Sequence, residues 1–192
     1  MKAETKPGRI RIIGGQYRRT PIPVVAAPGL RPTPDRVRET VFNWLEHLLG
    51  GFAGRAVLDL FAGSGALGFE AASRGAHRVV LVDSHPRAIA ALQALQQRLG
   101  AAAVEVVPSD WRVAAARQAP ASFDLVFLDP PFGAGLLPEA LAAARRIVRP
   151  DGLLYVESGQ TAAGDAPAGD LEVVRSGTAG AVAFRLLRLP AQ

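Results

Sequence analysis

Asp59-Leu60-Phe61-Ala62-Gly63-Ser64-Gly65-Ala66-Leu67-Gly68 joins the end of an apolar run, Ala56 to Phe61, to the start of a helical stretch. Glycines at such a junction let the backbone approach a ligand closely, and a helix N-terminus offers unpaired N–H groups there. Outward from it, short runs rich in Val and Leu recur at Arg78 to Asp83, Val104 to Val107, Phe123 to Asp129 and Leu153 to Glu157, with helical stretches such as Pro86 to Leu99 between them. Near-continuous apolar strands alternating with helices predict an α/β fold with a parallel sheet covered on both faces. Leu171 to Arg175 and Val182 to Leu189 leave no room for an intervening helix, so an antiparallel C-terminal hairpin closes a seven-stranded, mostly parallel sheet. Residues 159 to 170, rich in Gly, Ala and Asp, read as a mobile loop.

The 192 residues, 49% of them hydrophobic, suffice for one domain with a short appendage. Cysteine is absent, which excludes disulfides, thiolate metal sites and cysteine nucleophiles together. The scattered His47, His77 and His85 predict no metal. No apolar run is long enough to cross a membrane and the first thirty positions lack a signal-peptide core, so a soluble, cytoplasmic protein is expected, and it is taken to be a monomer.

The net charge of +5 is unevenly placed. Residues 1 to 38 hold nine Lys and Arg against Glu4 and Asp35, while the rest of the chain is slightly acidic. Arg9-Ile10-Arg11-Ile12-Ile13, then Gly14-Gly15 and a second partly apolar stretch to Val25, fit a small basic β-hairpin, with Pro21 and Pro23 keeping its second strand at an edge. Thr33-Pro34-Asp35 reads as the N-cap and first turn of a helix whose apolar stripe leaves Arg36 and Arg38 on the outside. A division follows: residues 1–32 form a basic N-terminal extension, and residues 33–192 form the catalytic domain. Arg9, Arg11, Arg18, Arg19, Arg31, Arg36 and Arg38 are the candidate nucleic-acid contacts, with a solvated basic tail as the alternative reading. Removal of residues 1 to 25 is expected to leave the remainder folded.

Gly63-x-Gly65-x-x-Gly68 also matches a dinucleotide fingerprint, with Asp83 twenty residues past Gly63. Asp59 argues against that reading, since a carboxylate four residues before the first glycine sits poorly beside a pyrophosphate but suits an ammonium group. S-adenosylmethionine (SAM) carries such a group. Asp83 would then accept from its ribose hydroxyls and Asp110 from its adenine amine, with Trp111 as a packing surface; Phe61 and Ser84 complete the cofactor set. Asp59 and Asp83 also suit turn capping at strand ends, and Asp110 suits a helix N-cap, a role compatible with adenine binding.

The strand from Phe123 ends in Asp129-Pro130-Pro131-Phe132. Two consecutive prolines remove two N–H donors and stiffen the turn, so a carboxylate and a fixed carbonyl can accept both hydrogens of an aryl amine. That draws its nitrogen toward a tetrahedral shape with the lone pair free, while Phe132 stacks on the base. Methylation at pyrimidine carbon-5 needs a cysteine adduct, so nitrogen is the target that remains.

Four stretches, Arg9 to Gly15, Arg31 to Trp44, Asp59 to Gly68 and Asp129 to Phe132, resemble the bacterial 16S rRNA guanine-N2 methyltransferases, the ribosomal RNA small subunit methyltransferase D family. The resemblance runs from about Arg9 to Ser158 and is most specific in Arg31 to Trp44. It implies a class I SAM-dependent methyltransferase fold of Rossmann type, SAM as donor, and a guanine N2 of 16S rRNA as acceptor, within an assembling or assembled small ribosomal subunit. Arg19 stands where the family often has Gly, and Asp83 where Glu is frequent. An adenine-N6 methyltransferase shares the Asp-Pro-Pro-aromatic chemistry, and a silent RNA-binding module would share the fold.

Overall fold

The computed structural model describes residues 10–24, 35–131, 134–159 and 170–190. Strands β1 (Ile10–Arg11) and β2 (Pro21–Ile22) pair antiparallel as a hairpin, followed by helix α1 (Asp35–Leu49). The alternating part comprises β3 (Ala56–Asp59), α2 (Ala66–Ser73), β4 (Arg78–Asp83), α3 (Pro86–Leu99), β5 (Val104–Pro108), α4 (Trp111–Arg117), β6 (Phe123–Leu128), α5 (Leu137–Ile147) and β7 (Val148–Gly159). Strands β8 (Glu172–Ala179) and β9 (Val182–Arg188) end it. The large sheet runs β5-β4-β3-β6-β7-β9-β8, parallel through β7 and antiparallel beyond. This is the expected class I methyltransferase arrangement, with the basic hairpin beside it. The N-cap assigned to Thr33 and Pro34, and most of the loop after Gly159, lie outside the described residues.

Successive residues of the central strands divide between two cores. Val57, Leu81, Leu125, Phe127 and Tyr155 face α1, α2 and α3, while Leu58, Val80, Val126, Leu154 and Val156 face α4 and α5. Burial on both faces explains the near-continuous apolar runs. At the amino-terminal edge, Asp124 accepts from the Ala56 N–H (2.8 Å) and pairs with Arg55 and Arg149 (3.1 Å each). Burial works against its charge, but the N–H and the two guanidiniums prevail and hold its carboxyl below the usual range. No described helix is long and apolar enough to cross a membrane.

The hairpin is built into the first core. Ile10, Ile12 and Ile22 are buried in the same cluster as Val57 and Phe69. Glu70, fully buried on α2, accepts from the Ile13 N–H (2.6 Å), the Gly14 N–H (2.8 Å) and Arg74 Nε (2.9 Å). Ser73 accepts from the Tyr17 N–H and donates to the Gly14 carbonyl, and its own carbonyl takes the Gln16 N–H. Gly15 has φ +72°, and a Cβ there would meet the Ser73 carbonyl oxygen at 1.9 Å. Only glycine fits.

Arg38 differs from its expected place on the outside of α1. Its side chain is 0% exposed; Nη2 donates to the Arg11 carbonyl (2.9 Å) and to Asp35 Oδ1 (2.6 Å), and Nη1 lies 4.0 Å from Glu70 Oε2. A guanidinium enclosed in this way has no surface to offer an RNA phosphate. It fastens α1 to the hairpin instead, which removes Arg38 from the candidate RNA contacts. Exposed Arg11, Arg18, Arg19 and Arg36 remain, and Arg9 and Arg31 lie outside the described residues.

The expected independence of the domain from residues 1 to 25 therefore gives way to its opposite. Deleting them strips Ile10, Ile12 and Ile22 from the core and leaves the Glu70 carboxylate without its two backbone donors. Glu70→Ala, which removes one side of the same junction, should cost about 3 kcal/mol in a urea titration. Stability within about 0.5 kcal/mol of wild type would mean that the junction contributes nothing.

Candidate active site

Strand order reverses between β3 and β6, because β4 and β5 extend the sheet one way from β3 and β6 and β7 the other. In open α/β sheets the crevice beyond the carboxyl ends of the strands at such a reversal takes the ligand. Asp59 ends β3, Asp129 follows β6, and the glycine loop leads from Asp59 into α2. Gly63 (φ 52°) and Gly65 (φ 79°) are both left-handed, which explains the glycine pair.

Asp59 is buried, and one carboxylate oxygen accepts from the Phe61 N–H (3.2 Å). Burial, with Asp83 and Glu157 nearby, pushes its carboxyl up to about 7 against the pull of that N–H. Asp83 bridges two loops: Oδ2 accepts from the Gly63 N–H (2.9 Å) and Oδ1 from the His85 N–H (2.7 Å). Asp110 caps α4 by accepting from the Arg112 N–H (2.8 Å), as its N-cap reading anticipated. Phe61 and Trp111 pack with ring centroids 5.5 Å apart. Buried Trp111 Nε1 has no hydrogen-bond partner among the described residues. A cleft of about 500 Å³, lined by Ser84, Ile89, Gln93, Ser109 and Asp110 among others, opens beside the ends of β4 and β5.

Across the reversal, Asp129 is half-buried, with Pro130 buried and Pro131 exposed. Phe132 lies outside the described residues. Burial, then the charges of Glu157 and Asp59, push the Asp129 carboxyl well above its usual range. Glu157 and Tyr155, on β7, were not anticipated as site residues. The Tyr155 hydroxyl donates to Glu157 Oε1 (2.6 Å), and burial followed by the Glu157 charge raises its pKa well above the usual phenol value. A lone acid directly after the apolar run Leu153 to Val156 was the signal that could have found it.

The residues suit SAM as a group. Asp59, Asp83 and Asp110 stand in order along one sheet edge and accept hydrogen bonds only, which matches an ammonium, two hydroxyls and an aryl amine. A buried anion such as Asp59, costly by itself, calls for a cationic partner. Among the described residues no group of three or more His, Cys, Asp or Glu is arranged to hold a metal ion.

The chain matches the family described as Conserved hypothetical protein 95 over residues 10–188. It is 40% identical over 187 residues to ribosomal RNA small subunit methyltransferase D of Escherichia coli strain K12, covering 96% of this chain and 92% of the relative. The protein of the same name from Haemophilus influenzae is 39% identical over 156 residues, 79% of each chain. A solved structure described as putative methyltransferase yhhF from Escherichia coli superposes with a TM-score of 0.81 at 40% identity, covering 96% of this chain and all of the other.

Buried acids leave a signature in the stability of the unliganded protein. Folded Asp59 holds its proton to about pH 7, whereas the unfolded chain releases it near pH 4. The folded state binds more protons in that window, so this group's contribution makes stability fall as pH rises through it and level off above. Asp59→Asn should therefore be more stable than wild type at pH 8, on the order of 2–4 kcal/mol, with the gap closing toward pH 4. Urea titrations at both pH values read this directly. A gap independent of pH would remove the buried-acid assignment.

Proposed function

The chain belongs to the Conserved hypothetical protein 95 family and is a SAM-dependent methyltransferase, and on that premise we propose that it methylates the exocyclic N2 of a guanine in 16S rRNA, acting as a cytoplasmic monomer on the small ribosomal subunit. The observation that carries the proposal is the position of Asp129 and its two prolines across the strand reversal from Asp59. One crevice can then serve both donor and acceptor. The relatives' names, which specify the RNA of the small subunit, support the choice of substrate.

In this reading Asp59 holds the ammonium of the cofactor, assisted by Phe61 and the Gly63 and Gly65 backbone. Asp83, whose two N–H contacts leave about two acceptor positions open, takes the ribose hydroxyls. Asp110 and Ser84 meet the adenine end, with Trp111 as an apolar wall. When bound, SAM supplies an electrophilic methyl group. Asp129 and the carbonyls of the Pro130-Pro131 turn accept the hydrogens of the target amine, which frees the nitrogen lone pair from the ring. Burial raises the proton affinity of Asp129, so it can hold the proton that the amine sheds. Phe132 is the proposed stacking surface for the base. Residues 1–32 form the RNA-binding extension of the domain 33–192, with Arg9, Arg11, Arg18, Arg19 and Arg31 as its contacts, and Arg36 on α1 of the domain adds to them.

The proposal is tested by incubating the protein with labelled SAM and small subunits from cells lacking the gene, then mapping the methylated nucleotide. Label on adenine would replace the guanine assignment. In the same assay Asp129→Ala should lose on the order of 10² or more in rate with SAM affinity nearly unchanged, because one preorganised acceptor is gone. Near wild-type turnover would take Asp129 out of the reaction.

Changing Arg11, Arg18, Arg19 and Arg36 together to Gln tests the extension. Each lost phosphate contact should flatten the salt dependence of RNA binding by about 0.7 in log–log slope. An unchanged affinity and slope would move RNA recognition away from the N-terminal segment.

A further inference from the structure

We infer that Glu157, fastened by the Tyr155 hydroxyl, is the residue that tells guanine from adenine, its carboxylate accepting the ring N1–H beside the amine that Asp129 holds. The inference rests on the reading of Asp129 as the acceptor of the target amine and adds what that reading leaves open, the identity of the base.

The register of the sheet puts the two acids side by side. β6 and β7 run parallel with Phe127 opposite Tyr155 and Leu128 opposite Val156, and the Phe127 and Tyr155 rings pack edge to face at 5.6 Å. One step past Leu128 and Val156 come Asp129 and Glu157, and alternation returns both to the face that carries those rings. After burial, the charge of Glu157 is the largest influence on Asp129. The Tyr155 hydroxyl, itself in the core, donates to Oε1 at 2.6 Å and fixes the carboxylate.

Two adjacent hydrogen-bond acceptors match one purine edge and oppose the other. Guanine presents two donors in sequence, the N2 amine and the N1–H. Adenine presents its N6 amine beside an N1 lone pair, which would face the lone pairs of Glu157. A buried acceptor confronted by another acceptor loses its hydrogen bond and gains repulsion, a penalty larger than the absence of one contact. Asp129 alone would serve either base. Glu157 makes the edge specific, with Tyr155 as its positioning residue.

The probe is 2-aminopurine, which keeps the N2 amine of guanine but has a bare N1 and no O6, so the change in preference on altering Glu157 is what reads the contact. Full-length wild type, Glu157→Gln and Tyr155→Phe are assayed on small subunits reconstituted with guanosine or 2-aminopurine at the position that wild type methylates. Wild type should prefer guanosine by about 100-fold in kcat/KM. Glu157→Gln keeps an oxygen for Tyr155 and turns an amide donor to the base, so the preference should shrink to within about tenfold or reverse. Tyr155→Phe should reduce the preference partway while SAM affinity stays near wild type.

A general loss of fold would lower both substrates together and leave the ratio unchanged. Equal turnover of the two substrates by wild type overturns the assignment without any variant, and a ratio that neither substitution moves overturns it as well. If Glu157→Gln fails to fold, the wild-type ratio and Tyr155→Phe decide. A wild type that methylates no guanosine would instead remove the guanine reading on which the inference rests.

Discussion

Carboxylates taken out of water at one edge of a sheet repel one another and cost the fold stability, and the rest of this molecule is arranged around that cost. Asp59, Asp129 and Glu157 gather at the carboxyl ends of three neighbouring strands, β3, β6 and β7. No stabilising purpose calls for three acids there, since buried anions are tolerated only when protonated, hydrogen-bonded or paired. At the opposite edge the contrast is plain: Asp124 is buried too, but Arg55, Arg149 and the Ala56 N–H compensate it. One end of the sheet is electrostatically closed. At the other, a cationic cofactor would offset the charge of buried Asp59.

The strand reversal explains how so small a chain brings these groups together. Asp59 and Asp129 are seventy residues apart in sequence, yet β3 and β6 are hydrogen-bonded neighbours with Asp59 opposite Phe127. The apolar remainder of each strand is committed to one core or the other. Asp59 and Asp129 stand where the apolar run of each strand gives way to the loop that follows it.

Much of this was legible from local pattern. Helix α3 spans Pro86–Leu99 as its apolar spacing required, because His85 caps its start and Gly100, in the left-handed region, ends it. The glycine loop and the Asp-Pro-Pro turn could be read because each confines its chemistry to a few adjacent residues. Arg38 and Glu70 could not be read, since their partners lie 27 and 56 or 57 residues away and the reason for their burial is tertiary. On helix periodicity alone Arg38 belongs with solvent, and the hairpin that covers it changes that. Strand β7 also begins earlier than the apolar run implied, at Val148, with a register irregularity between Phe123 and Leu125 that brings Arg149 to Asp124.

Helix α2 joins the two ends of the function. Its first turn follows the glycine loop at Gly65, and its last residues, Glu70 and Ser73, grip the hairpin. Eight residues at 1.5 Å each make a strut of about 12 Å, buried along its whole length. Arg18 and Arg19 are therefore presented at a set distance from the cofactor loop. Arg19 itself sits at φ 68°, a conformation in which glycine would be less strained, and the Arg19 N–H bond to the Ile12 carbonyl at 2.8 Å holds it there. The arginine carries a conformational cost that glycine would avoid. That cost, on the order of 1 kcal/mol, is accepted in a turn whose backbone is already fixed by Glu70 and Ser73. A charge held on such a turn has little orientational freedom left to lose when it meets an anionic partner, which is the advantage of a clamped loop over a loose tail.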